Sequence, residues 1–132
     1  MNTIQQIAEF HATPKQLFEI YMDSKKHSDA TLAKATISRK AGGKFTAFDG
    51  MLAGRNLMII PNQMIVQAWR ATHWKKTDPD SILILKFSKT NRGGRIDLVH
   101  TNVPDHDHLG VKKGWHYYYW EPWRAYLKKT TK

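Results

Sequence analysis

The spacing of apolar residues changes period three times along the chain, and each change marks an element boundary. Ile4 to His11 holds apolar and β-favouring residues in imperfect alternation, which predicts a strand. Thr13-Pro14 ends it. Threonine caps a helix and proline suits its first turn, so Pro14 to Tyr21 is predicted as a short helix with Leu17, Phe18 and Tyr21 on one side. Asp23-Ser24 supplies a second cap, and Lys25 to Leu32 is predicted as another short helix.

From Lys34 to Val103 the period becomes two. The runs Thr36 to Lys40, Lys44 to Phe48, Met51 to Ile60, Met64 to Trp74, Ser81 to Lys89 and Arg95 to Val103 predict strands. Ala41-Gly42-Gly43, Asp49-Gly50, Pro61-Asn62, the polar loop Lys75 to Asp80, and Asn91-Arg92-Gly93-Gly94 separate them as turns. Links this short force antiparallel pairing, because a parallel crossover needs about a dozen residues or more. Alternation places Leu83, Leu85 and Phe87 on one core-facing side, and Ile96, Leu98 and His100 on another. Met64 to Trp74 has Ile65, Gln67, Trp69, Ala71 and His73 on one face, and Met64, Val66, Ala68, Arg70, Thr72 and Trp74 on the other. Each face carries a tryptophan, so the pattern leaves its orientation open. Beyond Val103-Pro104 the spacing turns helical: Val111, Trp115, Tyr118, Tyr119, Trp123 and Tyr126 form a stripe on a helix of roughly five turns. Tyr117 and Trp120 fall off that stripe, and Pro122 is expected to bend the helix.

One strand, two short helices, a long antiparallel meander and one aromatic helix define an α+β chain of helix-grip type. A flat sheet on a single helix would leave much of one face bare, so the sheet is expected to curl around the C-terminal helix and enclose an apolar cavity. The 132 residues suit a single domain spanning 1–132, and 41% hydrophobic with 24% charged residues is a globular composition.

Composition narrows the chemistry. There is no cysteine, which excludes disulfides, thiolate metal sites and a cysteine nucleophile. Residues 1–10 lack a signal-peptide pattern and no apolar run reaches membrane-spanning length, so a cytoplasmic location without membrane association is expected. The formal charge of +10 favours acidic partners. The basic residues occur as scattered pairs, such as Lys25-Lys26 and Lys112-Lys113, which reads as a solvated basic surface and not as a nucleic-acid footprint. Asp105-His106-Asp107-His108 has the composition of a metal cluster but the wrong spacing, since residues two apart share no helix face. Asp105 and Asp107 are read as helix-start residues. No metal or cofactor is expected. No serine lies in a nucleophile-elbow context, and spacing places no carboxylate pair.

Gly42-Gly43-Lys44-Phe45-Thr46-Ala47-Phe48-Asp49-Gly50, Gly54, Ile65-Val66-Gln67-Ala68-Trp69-Arg70, His100-Thr101-Asn102-Val103-Pro104, and Gly114-Trp115 with Tyr119 and Pro122 resemble, in order and spacing, one known family. It is the domain named for the C-terminal part of the activator of heat-shock protein 90 ATPase, within the START-like, or SRPBCC, superfamily. The resemblance covers about Phe10 to Leu127. It implies the START-like helix-grip fold and a cavity between sheet and helix, in a superfamily of lipid carriers, hormone receptors, cyclases and ligand binders. The leading expectation is therefore a domain that binds a hydrophobic or amphipathic small molecule. A stress-related modulator of a chaperone ATPase is the alternative, and a cyclase- or hydrolase-type enzyme using His100 the further one. The cavity candidates are Trp69, Trp115, Tyr118 and Tyr119 as walls, Leu85, Phe87 and Leu98 from the core-facing strands, and His100, Gln67, Asp49, Arg70 and His73 as polar contacts. The chain is expected to be a monomer or a homodimer.

Overall fold

The computed structural model of the chain describes residues 2–130. Strand β1 (Asn2–Phe10) is followed by α1 (Pro14–Met22) and α2 (Ser24–Thr31). Thr13 and Gln16 close a capping box over α1: the Gln16 amide donates to Thr13 Oγ1 at 3.1 Å, and the Thr13 amide to Gln16 Oε1 at 2.8 Å. The Asp23 carboxylate accepts from the Lys26 amide and starts α2. Strands β2 (Thr36–Ile37), β3 (Lys44–Ala47), β4 (Leu52–Ile60), β5 (Met64–Ala71), β6 (Ser81–Thr90) and β7 (Gly93–Val103) then run as a meander. The sheet is antiparallel throughout, in the order β1-β7-β6-β5-β4-β3-β2, so the first strand closes onto the last. It curves around a C-terminal helical run made of a short 3₁₀ turn (Asp105–Asp107), α3 (His108–Gly114), a π-helical segment (Trp115–Trp120) and α4 (Glu121–Thr130). This is the α+β helix-grip architecture the element order predicts.

Several boundaries move for physical reasons. β2 stops at Ile37, short of the expected Lys40, because the Asn56 side-chain amide takes the carbonyls of Ser38 and Lys40 out of the ladder, at 2.7 and 3.1 Å. Gly93 and Gly94 belong to β7 and not to the turn before it. The corner leading into α1 crosses directly over them. A Cβ on Gly93 would sit 2.6 Å from the Ala12 amide nitrogen, and one on Gly94 2.5 Å from the Ala12 carbonyl. β5 ends at Ala71, and Thr72 to Trp74 form a turn closed by the Trp74 amide on the Ala71 carbonyl at 3.0 Å.

The largest revision concerns the C-terminal helix. Plain α periodicity puts Tyr118 on the buried stripe and Trp120 off it, whereas Tyr118 is 62% exposed and Trp120 only 3%. In the π segment hydrogen bonds reach back five residues, as from the Glu121 amide to the His116 carbonyl. That wider turn takes up one extra residue and rotates the rest of the helix about its axis, so Trp115, Tyr119, Trp120, Trp123 and Leu127 all face the sheet. The irregularity lies just ahead of Pro122, which has no amide proton to give the preceding turn.

Most of the space between sheet and helix is filled. Leu17, Ile65, Leu83, Leu85, Ile96, Leu98, Trp115 and Trp123 are at most 2% exposed. Burial of each such side chain contributes about 1.5–3 kcal/mol relative to exposure.

Candidate functional site

Two hydrogen-bonded networks hold most polar side chains inside the core, with the indole N–H groups of Trp69 and Trp123 outside them. Ile65, Gln67, Trp69 and Ala71 are the inward face of β5, which settles the orientation left open by its two tryptophans. The Tyr21 hydroxyl donates to Gln67 Oε1 at 2.7 Å, and Gln67 Nε2 donates to Asn56 Oδ1 at 3.0 Å. On β7, His100 Nδ1 accepts the Trp115 indole N–H at 3.1 Å. His100 Nε2 therefore carries the proton and donates to Ser81 Oγ at 2.8 Å, and Ser81 donates to the Trp69 carbonyl at 2.6 Å. His27, from α2, is also buried: its Nδ1 donates to the Tyr21 carbonyl at 2.8 Å, and its Nε2 accepts from the Tyr119 hydroxyl at 3.2 Å. Burial pulls His27 down to about 4 and His100 to about 3, and pushes the Tyr21 and Tyr119 hydroxyls up. Both imidazoles are neutral structural groups at physiological pH.

An apolar cleft of about 370 Å³ opens at one end of the grip. Trp69 and Ala71 of β5 form its floor, and Val111, Trp115 and Tyr119 of the helical run one wall. Phe48 and Met51 from the β3–β4 turn, with Leu52 at the start of β4, form the other. Phe48 and Asp49 have positive φ, 53° and 57°, and the Phe48 ring meets Tyr119 at 5.4 Å and Tyr118 at 5.8 Å. Met51 and Tyr118 are each 62% exposed at the mouth. The helix leaves room because Gly110 and Gly114, one turn apart, present no side chain to the cleft.

Polar groups at the rim are His73 and Asp107. Asp107 occupies the N-cap position of α3 but makes no capping hydrogen bond. Its Oδ2 accepts from the Trp74 indole at 2.8 Å and lies 3.4 Å from His73 Nε2. Asp107 thus stands at a helix start, as its sequence position suggests, but Trp74 and His73 engage its carboxylate in place of the first-turn amides. The Trp69 indole N–H is buried and has no hydrogen-bond acceptor among the described residues.

Of the residues named from the sequence, Trp69, His73, Trp115, Tyr118 and Tyr119 come together around the cleft. Gln67, Leu85, Phe87, Leu98 and His100 sit in the packed interior, with Gln67 and His100 satisfied by protein partners. Arg70 points to the other face of the sheet, where it binds the Asp78 and Lys75 carbonyls and the Asp80 carboxylate and ties down the 75–80 loop. Asp49 accepts from the Lys34 amide. Phe48, Met51, Asp107, Gly110 and Gly114 are cleft residues that apolar periodicity does not single out. Two glycines four apart on one helix face, three residues after an aspartate, were the available signal. In the Asp105 to His108 run, His106 pairs with Asp78 at 2.8 Å. Among the described residues no three His, Asp or Glu side chains are grouped to hold a metal ion, and no helix is long and apolar enough to cross a membrane.

A family model described as activator of Hsp90 ATPase homolog 1-like protein matches residues 11–128. The activator of 90 kDa heat shock protein ATPase homolog of Dictyostelium discoideum is 26% identical over 114 residues, which are 86% of this chain and 30% of that protein. Homolog 1 of Homo sapiens is 27% identical over 112 residues, 85% of this chain and 33% of its own length. The chain therefore spans about a third of the length of these curated relatives. Among solved structures, an HSP90 activator from Plasmodium falciparum shares the fold with a TM-score of 0.87, at 23% identity over 96% of each chain.

Proposed function

Because the chain belongs to the activator of Hsp90 ATPase homolog 1-like family, whose START-like fold leaves this cleft at one end of the grip, we propose that it binds a hydrophobic or amphipathic small molecule there. The observation that carries the reading is the cleft itself: about 370 Å³ of apolar, largely aromatic wall with polar groups confined to the rim. His100 has no role in catalysis in this reading, being sealed beneath Trp69 and Trp115.

The test is to fill the cleft from the helix. Gly114 has helical backbone angles, and a Cβ there would come no closer than 3.5 Å to the Tyr118 ring, so Gly114→Met fits without backbone strain. Replacing a mid-helix glycine is expected to raise unfolding free energy by about 0.5–1 kcal/mol. Binding of a fluorescent apolar probe should meanwhile fall at least tenfold. Unchanged probe binding in a folded Gly114→Met protein would remove the cleft as the site.

A second reading, modulation of a chaperone ATPase, is favoured by the names of the relatives and by the basic surface. It is tested by the ATPase rate of the Hsp90 from the same source with and without this protein. No change in rate and no co-purification would reject it.

A further inference from the structure

We propose that the ligand of this cleft is an organic cation, a quaternary or protonated amine on an apolar body. The inference rests on the cleft being a binding site and goes beyond it by assigning the ligand's charge. The reasoning begins with Asp107. A carboxylate at a helix N-cap ordinarily accepts from the first-turn amides, and this one does not. Trp74 and His73 approach one oxygen, Oδ2. The other, Oδ1, has no hydrogen-bond donor among the described residues and lies over Gly110, 2.5 Å from where a Cβ on that residue would sit. Asp107 is only 21% exposed and lines the cleft, so a fixed negative charge with a free oxygen stands at the rim of otherwise apolar walls.

The rest of the wall suits the same sign. Phe48, Trp69, Trp115, Tyr118 and Tyr119 surround the space, and aromatic faces carry the negative lobe of the ring quadrupole, which attracts a cation more strongly once it is desolvated. Among the described residues no lysine or arginine lines the cleft, and an anionic ligand would meet Asp107 with no compensating charge except at His73. The overall charge of +10 opposes a cation at long range. Its surface charges act through solvent with a screening length of about 8 Å at physiological salt, whereas Asp107 acts at contact.

The charge assignment is tested with a pair of probes of equal shape, benzyltrimethylammonium and its neutral isostere neopentylbenzene, measured by calorimetry or displacement of a bound dye. The wild-type protein is expected to bind the cation at least tenfold tighter. In Asp107→Asn, which keeps an oxygen for the Trp74 indole, the preference should fall to threefold or less while affinity for the neutral probe stays within twofold. Gly114→Met should abolish binding of both. A neutral probe that binds the wild type as tightly as the cation overturns the charge assignment and leaves the cleft reading standing. Absence of binding by either probe sinks both. A cation preference that survives in Asp107→Asn or in Gly114→Met also overturns the proposal, because the charge or the place recognised would then be another. The wild-type comparison decides by itself should a variant fail to fold.

Discussion

His27 and His100 are uncharged because burial removes the water that would stabilise a second ring proton. At His100 a second proton would also face the Trp115 indole, which can only donate, whereas at His27 the Tyr119 hydroxyl can turn to accept. The folded protein keeps them neutral down to about pH 4 and 3, whereas in the unfolded chain they titrate near 6.5. The unfolded chain therefore binds more protons below pH 6.5. Stability from these groups is complete above that pH and is lost as the pH falls, by roughly 3 kcal/mol per histidine on reaching pH 4. His100→Leu isolates one of them. At pH 7.5 it should lower the unfolding free energy by about 1–3 kcal/mol, since the Trp115 indole loses its acceptor. At pH 4.5 the gap to wild type should narrow by roughly 2–3 kcal/mol. Urea unfolding at the two pH values measures both, and a gap that does not narrow would show that His100 does not couple folding to acid.

At the scale of elements, the C-terminal helix separates what an apolar pattern can report from what it cannot. The strands were legible because a pleated backbone has a fixed period of two, and burial along β6 and β7 follows that period through Phe87 and His100. The helix was legible as an element and misread in register, because one π turn breaks the 3.6-residue count on which the stripe depended. The cleft was legible through Trp69, Trp115 and Tyr119, whose size and place on inward faces put them near any opening. It was not legible through Asp107 or Phe48. Asp107 takes its place from a turn at Trp74 that is 33 residues away in sequence, and Phe48 from a left-handed backbone angle that its residue type does not announce. The π register makes a sharp prediction about neighbouring aromatics. Trp120→Ala should destabilise by about 3–5 kcal/mol and Tyr118→Ala by less than about 1 kcal/mol. Denaturant titration of the two variants distinguishes this from an unbroken α-helix, which would reverse the order.

For the whole molecule, the joint between the two ends of the fold matters most. β1 is the first strand, yet it pairs with β7 and is bound to the C-terminal helical run by Gln6, which donates to the Lys112 carbonyl at 2.9 Å and accepts from the Trp120 indole at 2.9 Å. Phe10 packs on the rings of Trp120 and Trp123 at 6.0 and 5.9 Å. Sheet and helix therefore have no boundary along which to separate. All five tryptophans are at most 5% exposed, so fluorescence reports the tertiary core while far-ultraviolet circular dichroism reports strands and helices. The two signals should trace one coincident unfolding transition, and separated midpoints would count against a single cooperative unit. The wide turn at Trp115–Trp120 also bears on how this chain is matched to its kin. It stores one residue more than the same rise of ordinary helix needs, as a single inserted codon would leave behind. A relative that lacks one position there would carry an uninterrupted helix and still set its later aromatics against the same strands, so a gap at that point in a comparison marks a change of winding and not a loss of contact.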